Sequence, residues 1–213
     1  MKIAVIAANG RSDQAFIRSA LKAGHEVKAG VHLNNANKAA PKASDNLTWQ
    51  RCDATKQSDV EDLIQGQDAV VTFIGHVKGS EPKVQTNAMK VVVATMDRLN
   101  QKRLVSLTGT GVRFSGDKIT IIDRILNFSI SIIDPVRVKD GQDHVKVLMD
   151  SDMDWTVIRV LKLSKGKPTN FTLLKYGPTK PYVAREEVAQ AVLEVLEQNS
   201  YLKSAPIIGK TSK

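Results

Sequence analysis

Hydrophobic residues in this chain fall into short continuous runs separated by longer stretches with helical spacing. The runs KIAVIA (2–7), HEVKAGV (25–31) and DAVVTFI (68–74) are rich in β-branched residues, which predicts strands covered on both faces. Between them, residues 13–23 put Ala15, Phe16, Ala20 and Leu21 on one stripe. SDVEDLIQG (58–66) opens with a cap and acidic residues and closes on glycine, a second helix pattern. The order continues with a helix over 84–100, a fourth strand RLVSLTG (103–109), a helix near 138–150 and a fifth strand DWTVIRV (154–160). A strand FTLLKY follows, then a last helix, VAREEVAQAVLEVLEQ, in which Val188, Ala191, Val192 and Val195 keep helical spacing. Residues 112–135 are the least regular and are expected to form a flap over the sheet edge. Strands alternating with helices, joined by right-handed crossovers, predict an α/β fold: a doubly wound parallel sheet with helices on both faces. No repeat or Pro/Gly-rich linker divides the 213 residues, so 1–213 reads as a single domain.

Composition leaves that picture unchanged: 42% hydrophobic and 25% charged residues are ordinary for a globular protein. The longest apolar run, ITIIDRILNFSISII (119–133), is too short for a membrane span and is interrupted by Asp123 and Arg124. MKIAVIAANG reads as a first strand rather than a signal segment, so a cytoplasmic protein without membrane attachment is expected. The lone Cys52 excludes an internal disulfide framework and a cysteine-based metal site within the chain, and is expected to be a small buried side chain. Net charge is +9, from 31 Lys+Arg against 22 Asp+Glu. The basic residues are scattered, without runs or interleaved aromatics, which favours a solvated basic surface over a nucleic-acid site.

The first strand-to-helix turn carries the candidate chemistry. In an open parallel sheet, ligands bind beyond the carboxyl ends of the strands, and a helix N-terminus there offers unpaired N–H groups to a diphosphate. A G-x-G-x-x-G loop would place its glycines at Ala7, Gly10 and Asp13 of AANGRSD. Ala7 is small, and Gly10 leaves room for a pyrophosphate. Asp13 sets a carboxylate near phosphate charge unless it turns away as a cap, while Arg11 and Ser12 are phosphate-binding side chains. By itself the turn reads equally as a phosphate loop and as a plain connection.

Longer segments extend the comparison. KIAVIAANGRSDQAFIRSALKAGHEVKAGVHLNNANK resembles the opening of the NmrA-like, NAD(P)H-binding branch of the atypical short-chain dehydrogenase/reductases, which includes the small biliverdin-IXβ/flavin reductases. CDATKQSDVEDLIQGQDAVVTFIG, DSDMDWTVIRV and YVAREEVAQAVLEVLE are similar to later segments of that family, in family order, from residue 1 to about 197. The resemblance implies a Rossmann-type fold and NADP as cofactor, with NAD as the alternative. It assigns the pyrophosphate to Ala8, Asn9, Gly10, Arg11 and Ser12. His32, with Lys38 nearby, would face a 2′-phosphate; the other reading of His32 is an exposed strand-end histidine. Asp53 and Ala54 would border the adenine, although Asp53, or equally Ser58, is also suited to cap the following helix. Ile74, Gly75 and His76 would lie against the adenine-side ribose and the diphosphate, His76 having the alternative of a plain loop residue. Thr108 and Val160 would lie near the nicotinamide.

The Tyr-x-x-x-Lys pair with which short-chain dehydrogenases exchange a proton is missing. Tyr176, Tyr182 and Tyr201 all follow the fifth strand, and the helix near 138–150 has Lys139, Asp140, His144 and Lys146 instead. Thr108 and His144 are the candidates to position a substrate or donate a proton. Flavin-reducing members of the family pass hydride directly to a planar acceptor, which tolerates a missing tyrosine. The expected partners are a small-molecule acceptor and at most a second copy, the chain being a monomer or homodimer. Three readings remain open: an NAD(P)H-dependent oxidoreductase, a non-catalytic nucleotide sensor of NmrA type, and a scaffold that binds no dinucleotide.

Overall fold

The computed structural model describes residues 1–32, 41–77 and 79–210. A central sheet has the order β3-β2-β1-β4-β5-β6-β10-β8, from strands β1 (Lys2–Ile6), β2 (Glu26–Val31), β3 (Leu47–Arg51), β4 (Ala69–Thr72), β5 (Arg103–Gly109), β6 (Asp154–Val160), β8 (Phe171–Leu174) and β10 (Ile207–Lys210). Its strands are parallel except for β8, which runs antiparallel to β10. Two short parallel strands, β7 (Lys162–Ser164) and β9 (Tyr182–Ala184), form a separate ladder.

The continuous apolar runs divide between the two faces of the sheet because successive side chains point to opposite sides. Ile3, Val5, Val71, Val105 and Ile158 join one core with α1 (Arg11–Lys22) and α6 (Arg185–Glu197). Ala4, Ile6, Val70, Leu104 and Val157 join the other, under α2 (Gln57–Ile64), α3 (Val84–Arg98) and α5 (Pro135–Met149). Each buried Val, Leu, Ile or Phe contributes about 1.5–3 kcal/mol relative to exposure.

Three expectations change. Residues 112–135 are not irregular: α4 spans Ile121–Ile133, with Thr120 Oγ1 accepting the Asp123 N–H at 3.1 Å as its cap, and α5 begins at Pro135. The strands β3, β7 and β10 were not anticipated, and the last helix begins at Arg185 because 182–184 pair as β9. Neither Asp53 nor Ser58 caps α2, whose N-cap Lys56 has no side-chain cap. Among the described residues, no helix is long and apolar enough to cross a membrane.

The segment between β5 and α4 is tied to the sheet by a buried ion pair. Arg159 on β6, fully buried, donates to both carboxylate oxygens of Asp117 at 2.6 and 2.8 Å and to the carbonyls of Val112 and Ala205. Its guanidinium also stacks 4.8 Å from the centroid of Phe114.

Candidate functional site

The chain leaves β1 in one direction to build β2 and β3 and returns past it to build β4, β5 and β6, so the strand order reverses between β1 and β4. Ligands of open α/β sheets bind above that reversal. The turn from β1 into α1 lies there. Ala7 takes φ 64°, the left-handed conformation in which glycine is the unstrained residue, so the turn keeps the backbone of a glycine with an alanine in place. The Ala8 N–H bonds to the Gly30 carbonyl at 2.8 Å, and Asn9 Nδ2 donates to the His32 carbonyl at 3.3 Å, fastening the turn to the end of β2.

Gly10 is the N-cap of α1 and has no side-chain cap. Among the described residues, the N–H groups of Arg11 and Ser12 find no partner, while Gln14 N–H already bonds to the Gly10 carbonyl. Two free amides at the positive end of a helix suit an anionic diphosphate. Asp13 does not oppose one. It is 3% exposed, and its carboxyl folds back toward the Gly10 N–H. Burial raises its pKa from 3.8 to about 8, against the pull of hydrogen bonds from its own N–H and that of Gly10, so the group is protonated at neutral pH. A β-carbon at Gly10 would collide with Asp13 Oδ2, so Gly10 and the folded-back Asp13 require each other.

Arg185, which the sequence reading left without a role, opens α6 close enough to Arg11 for the two charges to repel. Its pKa is lowered first by burial and then by Arg11, and its Nη1 donates to the Ser164 carbonyl at 2.8 Å. Two guanidiniums beside a helix N-terminus strengthen the fit to an anion. The signal was present in the family-like YVAREEVAQ segment, but proximity to Arg11 comes only from the packing of α1 on α6.

On the side of β2 and β3, His32 is exposed and near the half-buried Asp53 and Ala54. Burial works against the Asp53 carboxylate, but hydrogen bonds from Thr55 and the neighbouring His32 and Lys56 outweigh it and hold its pKa below the ordinary value. Asp53 thus forms a local turn, its Oδ1 accepting from Thr55 N–H at 3.0 Å and Thr55 Oγ1 at 2.7 Å. Lys38 lies outside the described residues.

On the other side, Ile74, Gly75 and His76 follow β4, and a β-carbon at Gly75 would meet the Phe73 carbonyl at 3.8 Å, an ordinary contact. His76 is no bystander: its Nε2 lies 2.8 Å from Asp140 Oδ2. The fully buried Asp140 carboxylate also accepts the N–H groups of Gln85 at 2.8 Å and Thr86 at 3.0 Å, capping α3 from α5. Burial raises the cost of that charge, but the bonds from Thr86, Gln85 and His76 more than offset it, and its pKa falls below the ordinary value. A β-carbon at the adjacent Gly141 would touch Thr108 Oγ1 at 3.3 Å, so α5 packs against the end of β5 one residue beyond the Asp140 that holds His76. The Val160 carbonyl, at the end of β6, accepts the Thr110 N–H at 3.0 Å.

His144 takes a different position from that expected of a proton donor. It is 2% exposed on the sheet-facing side of α5, with Nε2 3.3 Å from Ser106 Oγ and Nδ1 unpartnered among the described residues. Burial lowers its pKa from 6.5 to about 4, so the ring is neutral at physiological pH and packed against the strand rather than open at its end.

Comparison with known proteins gives the same cofactor class. A family model described as NAD(P)H-binding matches residues 7–199. A short-chain dehydrogenase/reductase of Veillonella parvula in complex with NADP is 15% identical with a TM-score of 0.80, covering 99% of this chain and 95% of the other. The oxidoreductase ylbE of Lactococcus lactis is 12% identical, TM-score 0.78, over 100% and 92%. ChuY, an anaerobillin reductase of Escherichia coli O157:H7, is 16% identical, TM-score 0.80, over 100% and 98%. At such identities these structures establish the shared fold. The family match runs from the turn after β1 to the end of α6, and on that extent the chain belongs to the NAD(P)H-binding family.

Proposed function

We propose that this protein is an NADPH-dependent oxidoreductase that reduces a flavin, quinone or similar planar acceptor. The observation that carries the reading is the uncapped start of α1 with its free Arg11 and Ser12 amides where the strand order reverses, together with the His76–Asp140 pair that follows β4. Amides of Arg11 and Ser12 hold the diphosphate, with Ala8, Asn9 and Gly10 shaping the turn and Arg11 and Arg185 adding charge. Asp53 and Ala54 border the adenine. His32, which follows β2 where no Asp or Glu stands in the sequence, faces the 2′-phosphate with Asp53 as its neighbour, and the Veillonella parvula relative is in complex with NADP. Ile74 and Gly75 lie against the adenine-side ribose and diphosphate, Val160 borders the nicotinamide, and Thr108 orients the acceptor.

NADPH, when bound, supplies a hydride. The acceptor must also take up a proton at an oxygen or nitrogen atom, and the missing tyrosine relay leaves this to another group. We assign that place to His76: Asp140 holds its Nε2, and its Nδ1 is the atom that would deliver the proton. The balance is NADPH, acceptor and one proton to NADP⁺ and the reduced acceptor. The role expected of His144 passes to His76 because His76 follows the end of β4, whereas His144 is neutral and packed within α5 against Ser106.

Two measurements test this. Calorimetric titration should give tighter binding of NADPH than of NADH, and purified protein should oxidise NADPH when a flavin or quinone is supplied. His76→Gln should lower kcat about 10²-fold or more, with the Kd for NADPH unchanged. Binding without turnover against flavins, quinones and aldehydes would instead favour a non-catalytic NAD(P) sensor of NmrA type, a reading supported by the lack of any tyrosine on α5. A titration without heat for either nucleotide would remove both.

A further inference from the structure

The side of α4 turned away from the sheet is an uncovered apolar face. Asp123, its one buried residue, is held by Arg113 at 2.7 Å and Thr179 at 3.0 Å, so the helix seats its polar side inward. Outward stand Ile121, Ile125, Phe128 and Ile132, each between 58% and 76% exposed, flanked by Ile122 and Ile133. Their spacing of four, three and four residues is that of the seam between two packed helices. At on the order of 170 Å² for each fully exposed large apolar side chain, these six leave roughly 700 Å² open. That exceeds the roughly 300–600 Å² of the largest patch on a typical monomer. It approaches the about 800 Å² that each partner contributes to a standard interface.

The polar atoms of this face are already satisfied. Ser129 Oγ donates to the Ile125 carbonyl at 2.9 Å and Ser131 Oγ to the Phe128 carbonyl at 2.8 Å, so the face can be dried without orphaning a hydroxyl. Three cations near it are paired, Arg113 with Asp123, Arg137 with Asp134 and Lys139 with Asp143, while Arg124 on α4 is exposed and has no salt bridge among the described residues. A helix lying on a membrane uses its bordering cations to meet anionic headgroups. α4 itself carries one cation, Arg124, rather than the Lys/Arg-rich polar face of such a helix, which favours a protein partner.

We propose that α4 is a homodimer interface, packed antiparallel against α4 of a second copy across a two-fold axis. The stripe is its own complement in that arrangement, Ile121 meeting the partner's Ile132 and Ile125 the partner's Phe128. The proposal rests on packing alone and stands whether or not the nucleotide chemistry above is right.

Sedimentation equilibrium from about 1 to 100 μM should give twice the chain mass of 23.3 kDa. Raising salt from about 50 to 500 mM should tighten the dimer by screening the +9 charge of each copy. Ile125→Asp and Phe128→Lys, both at exposed positions, should each sediment as monomers with the wild-type circular dichroism spectrum. A wild-type monomer throughout, or a dimer that persists in both variants, overturns the proposal. Collapse of the circular dichroism signal in both variants also overturns it, because the face would then be covered within one chain. A monomer that floats with phosphatidylglycerol vesicles and is released by salt overturns it in favour of a lipid surface.

Discussion

Asp13 is the residue at which the phosphate loop departs furthest from a glycine-rich pattern, and its effect depends on protonation. Folding raises its pKa from 3.8 to about 8, so between those values the native state holds a proton that the unfolded chain has lost, and stability falls as pH rises. His144 acts in the opposite sense: its pKa drops from 6.5 to about 4, the unfolded chain holds the extra proton in that window, and stability rises with pH. The two slopes oppose each other up to about pH 6.5, and Asp13 acts alone from there to about 8. Wild-type protein should therefore lose roughly 2 kcal/mol between pH 6.5 and 8. Asp13→Asn should be flat over the same range, as read from thermal midpoints. A wild-type midpoint that does not move there would mean an ionised Asp13. NADPH affinity should weaken above about pH 8 in the wild type only, since a carboxylate then stands beside the diphosphate.

At the scale of elements, the segment between β5 and α4 depends on one pair of side chains. Arg159 and Asp117 are both buried, and removing one charge leaves the other without compensation. Arg159→Met should cost about 3–5 kcal/mol in urea denaturation. Adding Asp117→Asn should recover part of that loss, because the uncompensated carboxylate is gone. A simply additive double variant would mean that the pair is not coupled. The same segment shows why α4 was misread. Its apolar residues face outward and Asp123 and Asn127 face inward, the reverse of the burial that hydrophobic spacing ordinarily reports. The strand β3 was missed for a related reason: LTWQR lies at the sheet edge with only Leu47 buried, so it lacks a continuous apolar run.

Across the whole molecule, the two cores share every central strand, which predicts a single cooperative unfolding transition. The two tryptophans test this directly, because Trp155 lies in the core under α3 and α5 while Trp49 packs against the core under α1 and α6. Fluorescence of Trp49→Phe and Trp155→Phe should report midpoints that coincide within each variant with its loss of helix signal. Midpoints that separate would mean the two faces melt independently. NADPH at about 100 times its Kd should raise both midpoints together, equivalent to about 2.7 kcal/mol.

Local sequence settled the alternation of strands and helices, while the cofactor class came from the resemblance of its segments to a known family. A strand covered on both faces must be apolar throughout, so β1, β2, β4, β5 and β6 are written as local runs, and a turn between a strand and a helix needs small residues at fixed spacing. Tertiary structure decided what depends on residues far apart. The partner of His76 is 64 positions away, Arg11 meets Arg185 only because α1 packs against α6, and the depth at which His144 lies follows from the docking of α5 on β5. Protonation follows the same division: whether Asp13 repels or tolerates an anion depends on its burial, and burial is a property of the assembled fold.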